Sequence, residues 1–126
     1  FEYDEDIYVN ADYSKISRVI YNLVNNAINY SRTDKHIIVR QSRKDKNVLI
    51  EVIDHGEGID QEHLENIWDR YYKVDKEHKS SVVGTGLGLS IVKNVLDRHN
   101  AHYGVKSVVG EGSNFWFELE IAESPE

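Results

Sequence analysis

From residue 13 to 31 the apolar positions Ile16, Val19, Ile20, Leu23, Val24, Ala27 and Ile28 recur every three or four residues. That spacing predicts an amphipathic helix, with Asp12 as its N-cap. Residues 36–42 and 48–54 have strand character on either side of the polar turn Lys44-Asp45-Lys46-Asn47. Asp60 is placed to cap a second helix, with Leu64, Ile67, Trp68 and Tyr71 on one face. Residues 73–85 are rich in Lys, Ser and Gly and follow no period, which predicts a mobile loop. A third helix is expected near 87–99, with Ile91, Val92, Val95 and Leu96 as its apolar side. Strands near 102–109 and 113–122 flank Gly110-Glu111-Gly112. In the last of them Phe115, Phe117, Leu119 and Ile121 alternate with Trp116, Glu118 and Glu120, the pattern of a sheet with one buried face. With a short strand at 6–10, the order β-α-β-β-α-loop-α-β-β predicts an α/β two-layer sandwich. Its sheet would be mixed but mostly antiparallel, of about five strands, with three helices on one face.

A chain of 126 residues accommodates one core, so a single domain over 1–126 is expected. The absence of cysteine excludes disulfides and thiolate metal sites. No apolar run approaches the ~18 residues of a membrane span, and no signal peptide is visible. The start at Phe1-Glu2-Tyr3, without Met, suggests a piece of a longer protein. A formal net charge of −7 disfavours nucleic acid as a partner. It leaves room for a small anion, which needs only local positive charge and oriented N–H groups.

Four local patterns carry candidate chemistry. In the first helix Asn22, Asn26 and Asn29 fall within about 60° of one another and border the apolar face. Asparagine is a mediocre helix former, and its carboxamide oxygen suits Mg²⁺, so the stripe reads either as solvated polar positions or as a ligand. Asp54-His55-Gly56-Glu57-Gly58-Ile59 follows a hydrophobic strand. There a carboxylate, which only accepts hydrogen bonds, precedes a turn that backbone or ligand can approach closely. Gly84-Thr85-Gly86-Leu87-Gly88-Leu89-Ser90 opens a helix whose free N–H groups and dipole favour phosphate. A dinucleotide fingerprint fails here because Leu89 stands where glycine is needed. A phosphate-loop NTPase fails because no Gly-Lys-Ser/Thr is present in that frame. Gly110-Glu111-Gly112-Ser113-Asn114-Phe115 is by itself a hairpin turn.

Taken in order, these patterns resemble the nucleotide site of the superfamily that joins sensor histidine kinases, gyrase-type ATPases, Hsp90-type chaperones and MutL-type repair proteins, the Bergerat fold. The segment Ile67-Trp68-Asp69-Arg70-Tyr71-Tyr72-Lys73-Val74-Asp75 looks like the aromatic box that histidine kinases carry before their ATP lid. Asn22 stands where gyrase-type and Hsp90-type members have a glutamate base for water. The resemblance therefore implies a histidine kinase catalytic domain with ATP and Mg²⁺ as cofactors. It implies that Asn26 binds Mg²⁺ with help from Asn22, and that Tyr30 lines the base or ribose side. Asp54, with Ser113, would bond the adenine amino group, Gly56 and Gly58 would give adenine room, and Ile59 would pack on its face. Gly84, Thr85, Gly86, Leu87 and Gly88 would wrap the phosphates, with Lys73 and Arg70 as catalytic cations near the γ-phosphate. Asn29, often basic in the family, weakens the phosphate grip on that side, and Lys73 lacks arginine's bidentate fork. The loop 73–85 would be the ATP lid.

The implied acceptor is a histidine on a separate dimerisation domain. None of the six histidines here has the expected His-Glu-x-x-x-Pro context, although His55 lies in the adenine turn. A response regulator would act downstream. The domain itself would be monomeric and cytoplasmic, with no nucleic-acid partner, inside a parent anchored in the membrane. A serine kinase of the anti-sigma-factor type and a nucleotide-sensing interaction module are the alternatives.

Overall fold

A computed structural model describes residues 9, 11–31, 36–69 and 88–122. Helix α1 spans Tyr13–Tyr30. Strands β1 (Ile38–Lys44) and β2 (Asn47–Asp54) form a hairpin around Asp45, whose φ of 55° lies in the left-handed region. A short 3-10 turn at Gln61–His63 follows. Then come α2 (Gly88–Arg98), β3 (His102–Val108) and β4 (Gly112–Glu120). The sheet order is β1-β2-β4-β3, and every described pair is antiparallel. Val9 adds an isolated antiparallel bridge to Ile121, and the rest of the strand expected at 6–10 lies outside the described residues. This is the expected two-layer sandwich, with four strands and two α-helices among the described residues.

The alternation in β4 now has its cause. Phe115, Phe117 and Leu119 point into the core with Val48 and Val52 of β2. From the other layer come Val19, Leu23 and Ala27 of α1 and Val92, Val95 and Leu96 of α2. Each fully buried large side chain stabilises the fold by about 1.5–3 kcal/mol relative to exposure. Asp12 caps α1 as its sequence position predicts, its Oδ1 accepting from the Lys15 N–H at 3.2 Å. The C-terminal end of α2 turns through Asn100 (φ 54°), and the Ala101 N–H returns to Leu96 O at 3.0 Å.

The two helices run antiparallel and are joined by one imidazole. His99 Nδ1 lies 2.8 Å from Val95 O, and Nε2 lies 3.2 Å from the Asp12 N–H. A carbonyl needs a donor and an N–H needs an acceptor, so the two contacts fit the tautomer that carries its hydrogen on Nδ1.

The helix expected after Asp60 is a correction. Asp60 does cap, accepting from the Glu62 N–H at 3.1 Å, but the segment continues as turns to Asp69. Its start is tied to β3, and its end is set by packing. Ile67 is buried, and Trp68 meets Phe115 and Tyr103 edge-on at 5.7 and 5.1 Å. Tertiary contacts override helical propensity here.

Candidate functional site

The register places three buried polar side chains in one cross-strand row at the end of the sheet. Asp54 stands opposite Ser113, and Ser113 opposite Ser107. All three share the helix-covered face, at exposures of 3%, 7% and 6%. Buried polar groups require partners, and the row has them. Asp54 Oδ1 accepts from the Gly56 N–H at 2.9 Å. Ser107 Oγ accepts from the Ile59 N–H at 2.7 Å, lies 2.8 Å from Ser113 Oγ, and reaches Gly112 O at 3.0 Å. Burial pushes the Asp54 carboxyl pKa up, and N–H groups of Gly56 and Ser113 together with nearby His55 oppose that rise.

The turn after Asp54 is fastened on two sides. The Glu57 N–H bonds Tyr30 O at the end of α1 (3.4 Å), and the Gly110 N–H bonds Glu57 O from the β3–β4 turn (2.7 Å). Gln61 Nε2 adds a bond to Ser107 O at 3.2 Å. Gly56 is required because a Cβ there would enter the Tyr30 carbonyl. Gly112, at φ 125°, is required twice over, since a Cβ there would also enter the Asp54 carbonyl. His55 points outward and stacks on His36 with ring centroids 6.3 Å apart, away from the buried row.

Helix α1 carries the site away from the row. Tyr30 abuts the turn, Asn26 lies one turn back on the same stripe, and Asn22 one turn further. Asn22, Asn26 and Asn29 are half-buried, whereas Asn25, off the stripe, is exposed. At the far end, the Cβ direction of Gly88, the first residue of α2, points at Asn22 Oδ1 from 3.7 Å. A carboxamide oxygen therefore faces the start of a helix. From Tyr30 to Asn22 the axis advances about 12 Å, comparable to the reach of a nucleotide from base to terminal phosphate.

The structure thus sets Asp54 opposite Ser113, Gly56 against Tyr30 and Gly88 near Asn22, with Asn22, Asn26 and Asn29 on one stripe of α1. Ile59 is buried beside the row and Gly58 lies under the β3–β4 turn. Arg70, Lys73, Gly84, Thr85, Gly86, Leu87 and the loop 73–85 lie outside the described residues. Among the described residues no three His, Asp or Glu side chains gather to hold a metal. The carboxamides of Asn22 and Asn26 nonetheless fit a hard cation that takes its remaining ligands from phosphate and water. Sequence reasoning missed Ser107. Its signal was a polar residue at an inward position of β3, readable only once β3 was registered on β4.

Residues 11–123 match the family described as histidine kinase-, DNA gyrase B- and HSP90-like ATPase. Among curated relatives, the sensor histidine kinase WalK of Bacillus subtilis is 34% identical over 125 residues, covering 98% of this chain and 20% of WalK. The phosphate regulon sensor protein PhoR of Pseudomonas aeruginosa is 40% identical over 105 residues, covering 83% of this chain and 24% of PhoR. The chain therefore spans between a fifth and a quarter of these relatives. The solved catalytic domain of histidine kinase ThkA, in a nucleotide-free form, superposes with a TM-score of 0.76 at 29% identity, covering 93% of this chain and 73% of that one.

Proposed function

The chain belongs to the family of histidine kinase-, DNA gyrase B- and HSP90-like ATPases, and on that premise we propose that it binds Mg-ATP and donates the γ-phosphoryl group to a histidine of a separate dimerisation domain. The observation that carries this reading is the buried carboxylate of Asp54 beside the C-terminal end of α1 and the Asn22–Gly88 corner two turns back along it. Asp54, held by the Gly56 N–H, offers an acceptor to the adenine amino group. Ser113 stands beside it, and Tyr30 and Ile59 flank the base. Asn26, with Asn22, would hold Mg²⁺, which lowers the negative charge on the phosphates when bound. The start of α2 at Gly88 presents N–H groups and a helix dipole to the phosphate end. Lys73 and Arg70 are the cations assigned to the γ-phosphate, and Gly84, Thr85, Gly86 and Leu87 the backbone that wraps it.

In the transfer itself, an imidazole nitrogen of the acceptor bonds to the γ-phosphorus, and the bond to the bridging oxygen of ADP breaks. Catalysis is then positioning and charge neutralisation. Asn22 is not a base, so water is not activated from that position. The likeness to WalK, a sensor histidine kinase, and to the catalytic domain of histidine kinase ThkA favours a histidine acceptor over a serine one. A two-component system with a response regulator downstream, and a cytoplasmic position in a membrane-anchored parent, complete the reading. No helix among the described residues is long and apolar enough to cross a membrane.

The test supplies an acceptor domain in trans with radiolabelled ATP. Acid-labile, alkali-stable phosphate on that domain is expected, and label that survives acid would instead indicate a serine acceptor.

A further inference from the structure

The buried row contains one more hydroxyl than the base would touch. Ser107 lies behind Ser113, on the side away from Asp54. Its oxygen already takes the Ile59 N–H at 2.7 Å. Its single hydrogen has two destinations, Gly112 O at 3.0 Å or Ser113 Oγ at 2.8 Å. When the hydrogen goes to Gly112 O, Ser113 must donate its own hydrogen back to Ser107, and the free side of Ser113 Oγ becomes an acceptor. In that arrangement every polar atom of the pair is satisfied, including the Gly112 carbonyl, so burial favours it.

We propose that Ser107 is a specificity-determining positioning residue: by receiving the Ser113 hydrogen it keeps the Asp54–Ser113 edge acceptor-only and so selects an amino-purine over an oxo-purine. This inference rests on the nucleotide-binding reading above. Adenine presents an amino group with two hydrogens, complementary to two acceptors. Hypoxanthine and guanine present a carbonyl oxygen at the same place, which meets carboxylate and hydroxyl lone pairs and finds no donor. With Ser107 removed, the Ser113 hydroxyl is free to rotate and give its hydrogen to that carbonyl.

The experiment compares ATP and inosine triphosphate, titrated calorimetrically into the chain and its variants. The parent is expected to prefer ATP. Ser107→Ala should narrow the ATP-to-inosine triphosphate affinity ratio by about tenfold, the scale set by one hydrogen bond to a buried group. Ser107→Thr, which keeps the hydroxyl, should restore the ratio. Thermal melting without nucleotide separates a folding defect from a binding one. Should Ser107→Ala not fold, Ser107→Cys, a weak hydrogen-bonding group of similar size, takes its place with the same expected narrowing. An unchanged ratio, or equal loss of both nucleotides, overturns the inference while leaving the ATP site standing. Absence of ATP binding in the parent overturns the site reading itself, and this inference with it.

Discussion

The two ends of the candidate site are built on different principles. At the proposed base end, Asp54, Ser113 and Ser107 are buried before any ligand arrives; Asp54 and Ser107 bond the backbone of Gly56, Ile59 and Gly112, and Ser113 bonds Ser107. At the proposed phosphate end, Asn22 and Asn26 are half-buried side chains, and Asn22 lies beside the first residue of α2. The base end is therefore part of the core's architecture, and errors there disturb both fold and recognition. The phosphate end is a surface of donors and acceptors, and changes there should spare the fold and act on ligand affinity alone. Preformed groups contribute more per contact because their ordering cost is met during folding.

The largest effect is expected from Asp54→Ala, which should abolish detectable binding of both ADP and ATP by calorimetry, a loss on the order of a hundredfold or more. Retention of ATP binding would break the comparison at its root. The same carboxyl gives a pH signature. Its folded pKa is raised by desolvation, so the folded state holds this proton more tightly than the unfolded chain. Its ionisation therefore costs stability as pH rises from the ordinary carboxylate range through the folded pKa. Asp54→Asn should remove that cost, so its melting temperature relative to the parent should improve across this window while nucleotide binding is lost. A parent whose Asp54-dependent stability instead rises with pH through that window would contradict the burial argument.

Next in size is Gly112→Ala, which forces a side chain into the Asp54 carbonyl at a left-handed φ. It should destabilise the fold by about 2–3 kcal/mol in urea titrations. Asn26→Ala should leave stability nearly untouched. It should remove most of the gain in ATP affinity that magnesium provides, about tenfold, with ADP binding in chelator unchanged. A comparable loss in chelator would mean that Asn26 serves the fold or the base. The smallest effect tests a control outside the site. His99→Ala removes the acceptor for the Asp12 N–H and should cost about 1 kcal/mol in the same titration without altering nucleotide affinity.

Much of this was legible in the chain before any coordinates. The 3.6-residue period of α1, its Asp12 cap and the alternation of Phe115, Phe117 and Leu119 are local codes, and the helices and strands formed where those codes fall. The asparagine stripe was legible for the same reason, since helix geometry is fixed at each residue. The segment after Asp60 was misread because its path follows the packing of Ile67 and Trp68 against a sheet built from distant sequence.

By itself the sequence determined the element types, the inward face of each, and the candidate residues whose chemistry suits a nucleotide. Only the tertiary structure decided that Asp54 joins Ser113 and Ser107 in one row, because β2 and β4 pair between segments distant in sequence, whereas the Ser107–Ser113 register follows from the hairpin turn. It also decided that the end of α1 meets the Gly56 turn and that Asn22 faces Gly88. Those meetings depend on how two layers close over a shared core, where burial of apolar surface sets positions that side-chain chemistry then uses.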